Sequence, residues 1–403
     1  PLMSVTVCFF LALFAGVAQA SDVEIVESVP AETVYGSQQT LRPTDVWPAM
    51  IDGARKTLDI EEFYINSLGA MGPVLDAVKA AARRGVAVRV LVDSKFYKKS
   101  HEAPDMLKTV PGIEVRLLTM PGVQHAKFFV VDGREVYVGS QNMDGLALTQ
   151  IHEIGVMLRN GAMAETFLGV FESDWSLAAA QAQGASALST PAVAAGQGPL
   201  NSFRPVTIGG AKMYPVFSPV SLLGPGYESE IDALFRLLRG ARKSIHIQVM
   251  NYGISVYGGS GMWTDLDSEL KAAAGRGVQV SMAVADWTFA NKTDAENLKR
   301  LSATPNIRLK YSKIPRASGG FTPYSRVDHS KYMVIDGKTS WISTSNWQKD
   351  YFYSSRNATI VAESEDLARK LDGVFDATWN GPYVRDVTAD MTIEPPEIAS
   401  PRK

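Results

Sequence analysis

Two copies of one short motif carry the side chains of this 403-residue chain that are best suited to chemistry. The copies run from His125 to Asp132 and from His329 to Asp336, and both read His-x-Lys-x4-Asp. The chain contains only five histidines: His101, His125, His152, His246 and His329. Imidazole groups serve as nucleophiles, acids or bases near neutral pH, and lysine ammonium groups hold anions. We therefore expect the chemistry of this chain at the repeated motif.

The motif belongs to a longer internal duplication. The interval of 204 residues between the two motifs recurs for Asn142 and Asn346, and the alignment continues without a gap to Trp175. Farther upstream, Ala54-Arg55-Lys56 corresponds to Ala241-Arg242-Lys243 at a different interval. Self-similarity on this scale indicates two copies of one structural unit, and the chain is long enough for two domains with separate cores.

The local sequence places each histidine and lysine on one face of a strand. The segment from Val123 to Val131 is rich in β-branched and aromatic residues, and strand alternation directs His125 and Lys127 to the same side. The segment from Val327 to Ile335 repeats this pattern. Each half thus presents one imidazole beside one ammonium group.

Helical and strand patterns alternate in both halves. Ile231, Leu234, Phe235 and Leu238 form the i, i+3, i+4, i+7 stripe of an amphipathic helix. Further segments continue the alternation, with helices at 73–84 and 266–277 and strands at 86–92, 244–250 and 278–284. This alternation predicts an α/β sandwich with a largely central sheet.

Phosphodiester chemistry suits this set of groups if the halves pack with both motifs facing one pocket. One neutral histidine would attack phosphorus and form a phosphohistidine, while the other, protonated, would donate to the leaving oxygen before water or an alcohol reverses the roles. Four side chains would hold the non-bridging oxygens: Lys127, Lys331, Asn142 and Asn346. This scheme requires no metal or other cofactor. A metal site is the weaker alternative, because two histidines lack a third ligand and the lysines repel a cation.

The motif together with Gly139-Ser140-x-Asn142 resembles the phospholipase D superfamily. The second copy reads Ser343-Thr344-Ser345-Asn346, so serine replaces the glycine while Thr344 keeps the hydroxyl of Ser140. In this family the doubled motif builds a single active site that uses both histidines and both lysines. The resemblance therefore implies an α/β protein of two pseudo-symmetric α-β-α sandwich halves that share one active site.

A carboxylate partner would distinguish the two histidines. Glu153 lies 28 residues beyond His125, where a family carboxylate often holds the imidazole, and the corresponding residue of the second half is Asn357. A carboxylate orients the ring and makes it more basic, whereas an amide supplies no charge. We therefore expect His125 to be the nucleophile and His329 the acid. A surface charge is the alternative interpretation of Glu153.

The motif aspartates have a different setting from the histidines. Asp132 precedes Gly133, and Asp336 precedes Gly337, at expected turns between strands. Aspartate followed by glycine is typical of turns. We therefore expect a structural role for both aspartates rather than direct chemistry.

The superfamily includes lipases, cardiolipin synthases, nucleases and transphosphatidylases, so the motif leaves the substrate open. The segments 138–144, 344–347 and 381–383 resemble the endolysosomal phospholipase-D-like 5′ exonucleases of animals. That resemblance implies single-stranded DNA or RNA as the substrate, and bases interleaved with aromatic residues at 95–99, 311–324 and 347–352 favour it modestly. The alternative is a phospholipase D or transphosphatidylase acting on phospholipid. A non-catalytic envelope or binding protein is a second alternative.

The first residues have the pattern of an export signal. Residues 5–17 form an apolar run, and Ala18-Gln19-Ala20 before Ser21 has the small-x-small form of a signal peptidase site. We therefore expect residues 1–20 to be a signal peptide and the protein to be periplasmic or extracellular. A membrane anchor formed by residues 5–17 is the alternative. The single cysteine, Cys8, lies in this segment, and no later apolar run is long enough to span a membrane.

Composition indicates how the remainder is divided. Residues 178–202 are rich in Ala, Gln, Gly and Ser, which predicts a linker between a first half at 21–177 and a second half at 203–386, followed by an irregular tail at 387–403. The formal net charge of −2 provides no overall basic field, so any polyanion site must be local. A homodimer is compatible with the resemblance.

Overall fold

The computed structural model describes residues 21–184, 198–257, 259 and 261–399. The expected signal peptide at 1–20 and residues 185–197 of the expected linker lie outside the described residues. None of the helices in the described ranges combines the length and the hydropathy that a membrane-spanning segment requires.

The first half is built on one sheet flanked by helices. Its strands among the described residues are β1 Val23–Ser28, β2 Thr57–Glu62, β3 Ala87–Asp93, β4 Ile113–Leu118, β5 Phe128–Val131, β6 Glu135–Gly139 and β7 Glu153–Arg159. Its helices are α1 Pro43–Gly53, α2 Met71–Arg83, α3 Ser94–Tyr97, α4 Glu102–Lys108, α5 Gly145–Thr149 and α6 Gly161–Ala182. The spatial order is β1-β7-β6-β5-β2-β3-β4, in which β2, β3 and β4 are parallel and the other pairs antiparallel. Helical crossovers make the parallel pairs possible.

The second half repeats this plan with additional edge strands. Its strands are β8 Val206–Ile208, β9 Ala211–Ser218, β10 Ser244–Val249, β11 Gln279–Ala285, β12 Ile307–Ser312, β13 Lys331–Ile335, β14 Thr339–Ser343, β15 Asn357–Glu363 and β16 Val384–Asp386. Its α-helices are α7 Glu230–Gly240, α8 Asp265–Gly275, α9 Lys292–Ser302, α10 Lys349–Tyr353 and α11 Glu365–Trp379, with 3₁₀ turns at Val220–Leu222 and Asp286–Ala290. The spatial order is β16-β12-β11-β10-β13-β14-β15-β9-β8.

Three buried apolar clusters form the main core. One packs the first sheet against α1, α2 and α4, and another packs the second sheet against α7, α8 and α9. The third is shared, because α6 and α11 pack with side chains of both sheets, Phe128 and Tyr332 among them. Burial of apolar surface in this shared cluster stabilises the halves against each other. The prediction of two related α/β halves is confirmed.

The strands that carry the motifs are shorter than expected. The strand expected over 123–131 begins at Phe128, and the strand expected over 327–335 begins at Lys331. This part of the prediction was wrong, because the backbone just before each strand bonds to the opposite half instead of to its own sheet. Other predicted elements are present with small shifts at their ends: the helix expected at 73–84 is α2, and the strand expected at 278–284 is β11.

Each motif aspartate lies in a turn between two strands. Asp132 has a φ of 52° and is followed by Gly133 at 63°. Its carboxylate accepts hydrogen bonds from the backbone N–H groups of residues 55–57, at 2.6 to 3.1 Å. Asp336 makes the same contacts with residues 242–244. These bonds fasten each hairpin to the strand beside it, so both aspartates occupy structural positions.

Replacing Asp132 with asparagine should destabilise the protein by about 1 to 2 kcal/mol at pH 7, because charge-assisted bonds become neutral ones. Burial opposes the effect, but the three backbone donors lower the pKa of Asp132 below its usual value. Its stabilisation is therefore present above the unfolded pKa of about 4 and is lost as pH falls through the lowered folded pKa. Urea unfolding at pH 7 and pH 2.5 measures this difference. Asp52→Asn, at an exposed carboxyl, is the control, and equal stability of the two variants at pH 7 would contradict the expectation.

Candidate active site

Two backbone bridges join each motif to the opposite half. The amide of His125 donates to the carbonyl of Arg356 at 2.9 Å, and the amide of His329 donates to the carbonyl of His152 at 2.8 Å. The neighbouring residues complete two isolated parallel β-bridges, 124 with 356 and 152 with 328. We call these contacts the His125 bridge and the His329 bridge. The two bridges occupy equivalent positions of the duplication, so the backbone of each half is hydrogen-bonded to the motif segment of the other half.

His125 is buried and contacts an amide of the second half. Its Nδ1 lies 3.0 Å from Oδ1 of Asn357, which leaves Nε2 for a substrate. The ring centroids of Phe63 and Tyr351 lie 5.2 and 4.8 Å from the imidazole. Burial, followed by the charges of the two motif lysines, depresses the pKa of His125 well below its usual value. The imidazole is therefore neutral at pH 7 when no anion lies beside it.

His329 contacts a carboxylate of the first half. Its Nδ1 lies 2.7 Å from Oε2 of Glu153, whose side chain is fully buried. Burial raises the pKa of Glu153 to about 8, and burial together with the motif lysines depresses the pKa of His329 well below its usual value. The two groups form a hydrogen-bonded dyad.

The expected pairing of Glu153 with His125 was wrong. The spacing of 28 residues relates Glu153 to His125 of its own half. The His329 bridge instead places Glu153 beside the motif of the second half. Asn357 crosses in the opposite sense and contacts His125. A carboxylate supports the ring that it contacts, so the contact of Glu153 favours His329 rather than His125 as the nucleophile.

Both motif lysines are fully buried beside the histidines. Nζ of Lys127 donates to the carbonyl of His125 at 2.7 Å, and Nζ of Lys331 donates to the carbonyl of His329. Burial lowers the pKa of Lys127 to about 7, against the opposing charge of Glu62, and lowers that of Lys331 well below its usual value. An anion between them favours both ammonium forms. The lysines are therefore suited to hold the non-bridging oxygens of a phosphodiester.

The residue opposite each lysine differs between the halves. Val249 lies opposite Lys331 in the pairing of β10 with β13. The register of β2 with β5 brings Glu62 to the corresponding place opposite Lys127. Glu62 is fully buried, and within the described residues its Oε1 has no hydrogen-bond partner. Burial raises the pKa of Glu62 well above its usual value. Sequence reasoning missed Glu62 because it lies outside the motif; its mismatch with Val249 is the signal that could have revealed it.

The Gly-Ser-x-Asn segments support the site in two ways. The hydroxyl of Ser140 accepts a backbone amide of β7 at 3.0 Å, and the hydroxyl of Thr344 donates to Oδ1 of Asn357 at 2.9 Å. Asn142 and Asn346 are buried, and Oδ1 of each lacks a partner within the part of the chain that the structure describes. Buried amides with an uncommitted polar atom are unusual and suit groups that contact a substrate.

The two histidines lie beside different walls. Aromatic rings line the His125 side, and these are Phe63, Tyr64, Phe96 and Tyr351. We call this set the aromatic wall. A small apolar cluster lies on the His329 side and comprises Ile151, Met250, Ala285 and Val327, with Leu146 and Trp287 packed against it. Of these residues, only Phe96 and Tyr351 lie in the basic and aromatic segments 95–99, 311–324 and 347–352 that the sequence pattern indicated.

Several basic and aromatic residues expected to contact nucleic acid have structural partners instead. Lys95 donates to the carbonyls of residues 121 and 122, and the hydroxyl of Tyr97 bonds to a carboxylate of α4. Lys313 and Arg316 pair with glutamates of the tail, and Trp347 is buried. Of the segment 95–99, only its phenylalanine joins the aromatic wall.

The fold, and the pair of motif histidines that each bond to a residue of the opposite half, define a phosphodiesterase of the phospholipase D superfamily. The family model described as "Cardiolipin synthase, PLD-like domain" matches residues 48–175 and 234–379, one match in each half. The chain belongs to this family. Among the described residues, no group of three or more His, Cys, Asp or Glu side chains is placed to hold a metal ion.

Several relatives align over most of the chain. The "Phospholipase D Z" of Dictyostelium discoideum is 30% identical over 393 aligned positions, which cover 91% of each chain. The "5′-3′ exonuclease PLD3" of Rattus norvegicus is 31% identical over 403 positions, which cover 91% of this chain and 81% of the relative. The "Virion nicking-joining enzyme" of Vaccinia virus (strain Western Reserve) is 29% identical over 383 positions, covering 89% and 88%.

Solved structures share the fold at low sequence identity. Phosphatidylserine synthase of Haemophilus influenzae has a TM-score of 0.61 at 12% identity, with 85% of each chain covered. Polyphosphate kinase of Porphyromonas gingivalis has a TM-score of 0.57 at 12% identity, with 91% of this chain and 48% of the other covered. Likeness at this identity concerns the fold alone, since one fold hosts many reactions.

Proposed function

We propose that this chain is a metal-independent phosphodiesterase that removes nucleotides from the 5′ end of single-stranded DNA or RNA through a phosphohistidine on His329. The observation that carries the proposal is the 2.7 Å contact between Glu153 and His329. It pairs one imidazole with a carboxylate, while the second imidazole, His125, has only the amide of Asn357. Two histidines with different partners suit the two different roles that phosphodiester cleavage requires.

In the first step, Nε2 of His329 attacks phosphorus. The N–P bond forms as the bond between phosphorus and the leaving oxygen breaks, and Glu153 stabilises the positive charge that develops on the ring. A bound phosphodiester anion offsets the lysine charges and raises the pKa of His125, which then gives its proton to the leaving oxygen. Lys127 and Lys331 stabilise the charge on the non-bridging oxygens.

In the second step, water completes the reaction. His125, now neutral, takes a proton from water as the water oxygen attacks phosphorus. The N–P bond breaks, its electron pair returns to His329, and a phosphate monoester leaves. An alcohol in place of water would give transfer instead of hydrolysis by the same steps.

Two observations support nucleic acid as the substrate. The aromatic wall lies against His125, which serves the leaving group, and aromatic side chains stack with nucleobases of any sequence. Relatives that align over about nine-tenths of the chain are named 5′-3′ exonucleases in Rattus norvegicus, Mus musculus and Xenopus laevis. These observations favour a nucleoside on the leaving oxygen.

Phospholipid remains the second candidate substrate. Leu146 and Trp287, the two partly buried side chains that pack on the apolar cluster of the His329 side, could contact acyl chains. The relative in Dictyostelium discoideum is named a phospholipase D. A non-catalytic binding protein is less well supported, because the charges of both motif lysines act on both motif histidines.

Purified protein should shorten a labelled single-stranded oligonucleotide equally well with and without EDTA, because the lysines supply the electrostatic stabilisation. Linear 5′-hydroxyl, linear 5′-phosphate and circular strands, followed by gel electrophoresis, test the dependence on an end. Phosphatidylcholine with ethanol is the parallel lipid assay, and a His329→Ala variant controls for contaminating nucleases. Cleavage that requires added Mg²⁺, or formation of phosphatidylethanol without oligonucleotide loss, would overturn the proposal.

We further propose that the protein is exported. The apolar run at 5–17 followed by Ala18-Gln19-Ala20 supports this localisation. Cell fractionation with N-terminal sequencing tests it, and a mature protein that begins near Ser21 is the expected result.

A further inference from the structure

A buried ion cluster lies next to the proposed nucleophile and takes no part in the steps above. His152 is fully buried, with Nε2 at 3.0 Å from Oε1 of Glu27 and Nδ1 at 3.3 Å from Oδ1 of Asp328. Its ring stacks on Tyr35 with a centroid distance of 4.4 Å. An imidazole held between two carboxylates, out of contact with water, requires an explanation.

The cluster and the catalytic dyad share one piece of backbone. His152 precedes Glu153, and Asp328 precedes His329, in the two segments that form the His329 bridge. Successive side chains of an extended segment point to opposite sides. The dyad therefore lies on one side of the bridge, and the pair of His152 with Asp328 lies on the other.

The ion pair adds side-chain contacts to weak backbone pairing. The bridge itself has few backbone bonds: His329 N–H donates to His152 at 2.8 Å, and His152 N–H donates to Val327 at 3.0 Å. Asp328 is also bonded by Nε2 of Gln248 at 2.5 Å, which ties it to the second sheet. Glu27 belongs to β1 of the first sheet. The imidazole thus connects the two sheets directly behind His329.

The charge state of His152 suits this connection. Burial opposes protonation, but Asp328 and Glu27 raise the pKa of His152 to about 10. Burial likewise opposes ionisation of Glu27, yet His152 and its other donors lower the pKa of Glu27 to about 2. The imidazole also contacts the stacked ring of Tyr35, whose pKa burial raises well above its usual value, and the amide of Gln248, which lies 3.3 Å from Nδ1. His152 and Glu27 are therefore both charged at neutral pH.

The His125 bridge has a different cation in the corresponding place. Arg356 occupies the position of His152, and its guanidinium bonds to Asp174 at 2.6 and 2.7 Å. Gln124 occupies the position of Asp328 and bonds to Glu61 at 3.0 Å. Both bridges thus have a buried cation behind the catalytic side, although the residue types are not repeated.

We infer that His152 is a positioning residue that holds His329 in register with Glu153, and this inference rests on the proposed role of His329 as nucleophile. Loss of the imidazolium removes the link between the two sheets at this bridge. The distance from Nδ1 of His329 to Glu153 then varies, and the ring is less often aligned for attack. Substrate binding depends chiefly on the two lysines and is preserved.

The test replaces His152 with glutamine and follows the remaining histidines. After ¹⁵N-histidine labelling, the five histidines of the chain give few enough signals to assign by substitution. We expect the Nδ1 signal of His329 to shift or broaden while the signals of His125 stay in place. We also expect kcat on a single-stranded oligonucleotide to fall about 10- to 100-fold with KM changed less than about twofold.

His246→Gln is the matched control. His246 also pairs with a carboxylate, Asp372 at 2.8 Å, and stacks on Phe375, but it belongs to neither bridge. It should leave both catalytic histidines and kcat unchanged. If His152→Gln fails to fold, Glu27→Gln provides a milder loss of the same link and is judged by the same signals.

Equal shifts of His125 and His329, or an unchanged His329 signal with kcat near that of the parent, would overturn the inference. The spectra do not depend on turnover. A parent protein without activity on oligonucleotides would therefore refute the proposed function, while the response of the His329 signal would still decide the positioning role.

Discussion

Replacing His329 with alanine should abolish turnover and the covalent intermediate together. The variant lacks the ring that Glu153 supports, so we expect kcat to fall by about 10⁴-fold or more, as for loss of a nucleophile elsewhere. A ³²P-labelled nucleoside p-nitrophenyl phosphate, quenched in alkali within milliseconds, should label the parent protein on histidine and leave the variant unlabelled. Circular dichroism checks that the variant is folded.

The matched variant at the other histidine should behave differently. His125→Ala lacks the acid, but p-nitrophenolate departs without a proton, so the phosphohistidine on His329 should still form. Its hydrolysis needs a base to activate water, so the intermediate should accumulate. A labelled His329→Ala protein together with an unlabelled His125→Ala protein would reverse the two roles.

The chemistry of the site could be predicted from sequence because it is local. His125, Lys127 and their repeats lie within one short motif, and the spacing alone brings each imidazole beside an ammonium group. The duplication likewise predicts two α/β halves, since the same helix and strand patterns recur at matched positions. The structure agrees on both points, with each lysine bonded to the carbonyl of its motif histidine.

The partners of the histidines could not be predicted in this way. Glu153 and Asn357 contact the histidine of the opposite half, because the backbone before β5 and β13 pairs across the boundary between halves. Sequence spacing carries no information on which half a side chain reaches. The local pattern of the motif segments also favoured continuous strands, and tertiary pairing overrode that preference.

Two carboxylates make the duplicated halves of the site unequal. Glu62 corresponds to Val249, and Glu153 corresponds to Asn357, so both of these buried carboxylates come from the first copy of the duplicated unit. Two equal halves would give two equal imidazoles, with no preference for which one attacks. The carboxylates therefore provide the physical basis for assigning different roles to residues that the motif makes identical.

Replacing Glu153 with glutamine should lower kcat by about 10³-fold. This loss is somewhat smaller than the roughly 10⁴-fold fall in kcat that follows when the aspartate of a catalytic triad is neutralised. The side chain keeps its shape and an oxygen near Nδ1, but it cannot stabilise the charged ring. Because burial raises the pKa of Glu153 to about 8, its ionised form costs folding free energy, and the glutamine variant should keep equal or higher thermal stability. The loss of kcat is therefore not a loss of folding. Steady-state kinetics and the yield of labelled histidine measure the effect.

Adding Asn357→Asp to Glu153→Gln moves the carboxylate from one bridge to the other, and it should move the nucleophile with it. The new carboxylate at position 357 would be the partner of His125, whose imidazole lies 3.0 Å from the present amide oxygen. We expect the double variant to recover about tenfold of the lost kcat, with the label now on His125, which lies in a different tryptic peptide from His329. The asparagine side chain has the same length as aspartate and already makes this contact. The exchange therefore changes the charge of the side chain but not its distance from His125. If the label stays on His329 in the double variant, a feature other than the carboxylate selects the attacking ring. The different side chains that surround His125 and His329 would then be the remaining difference between the two histidines.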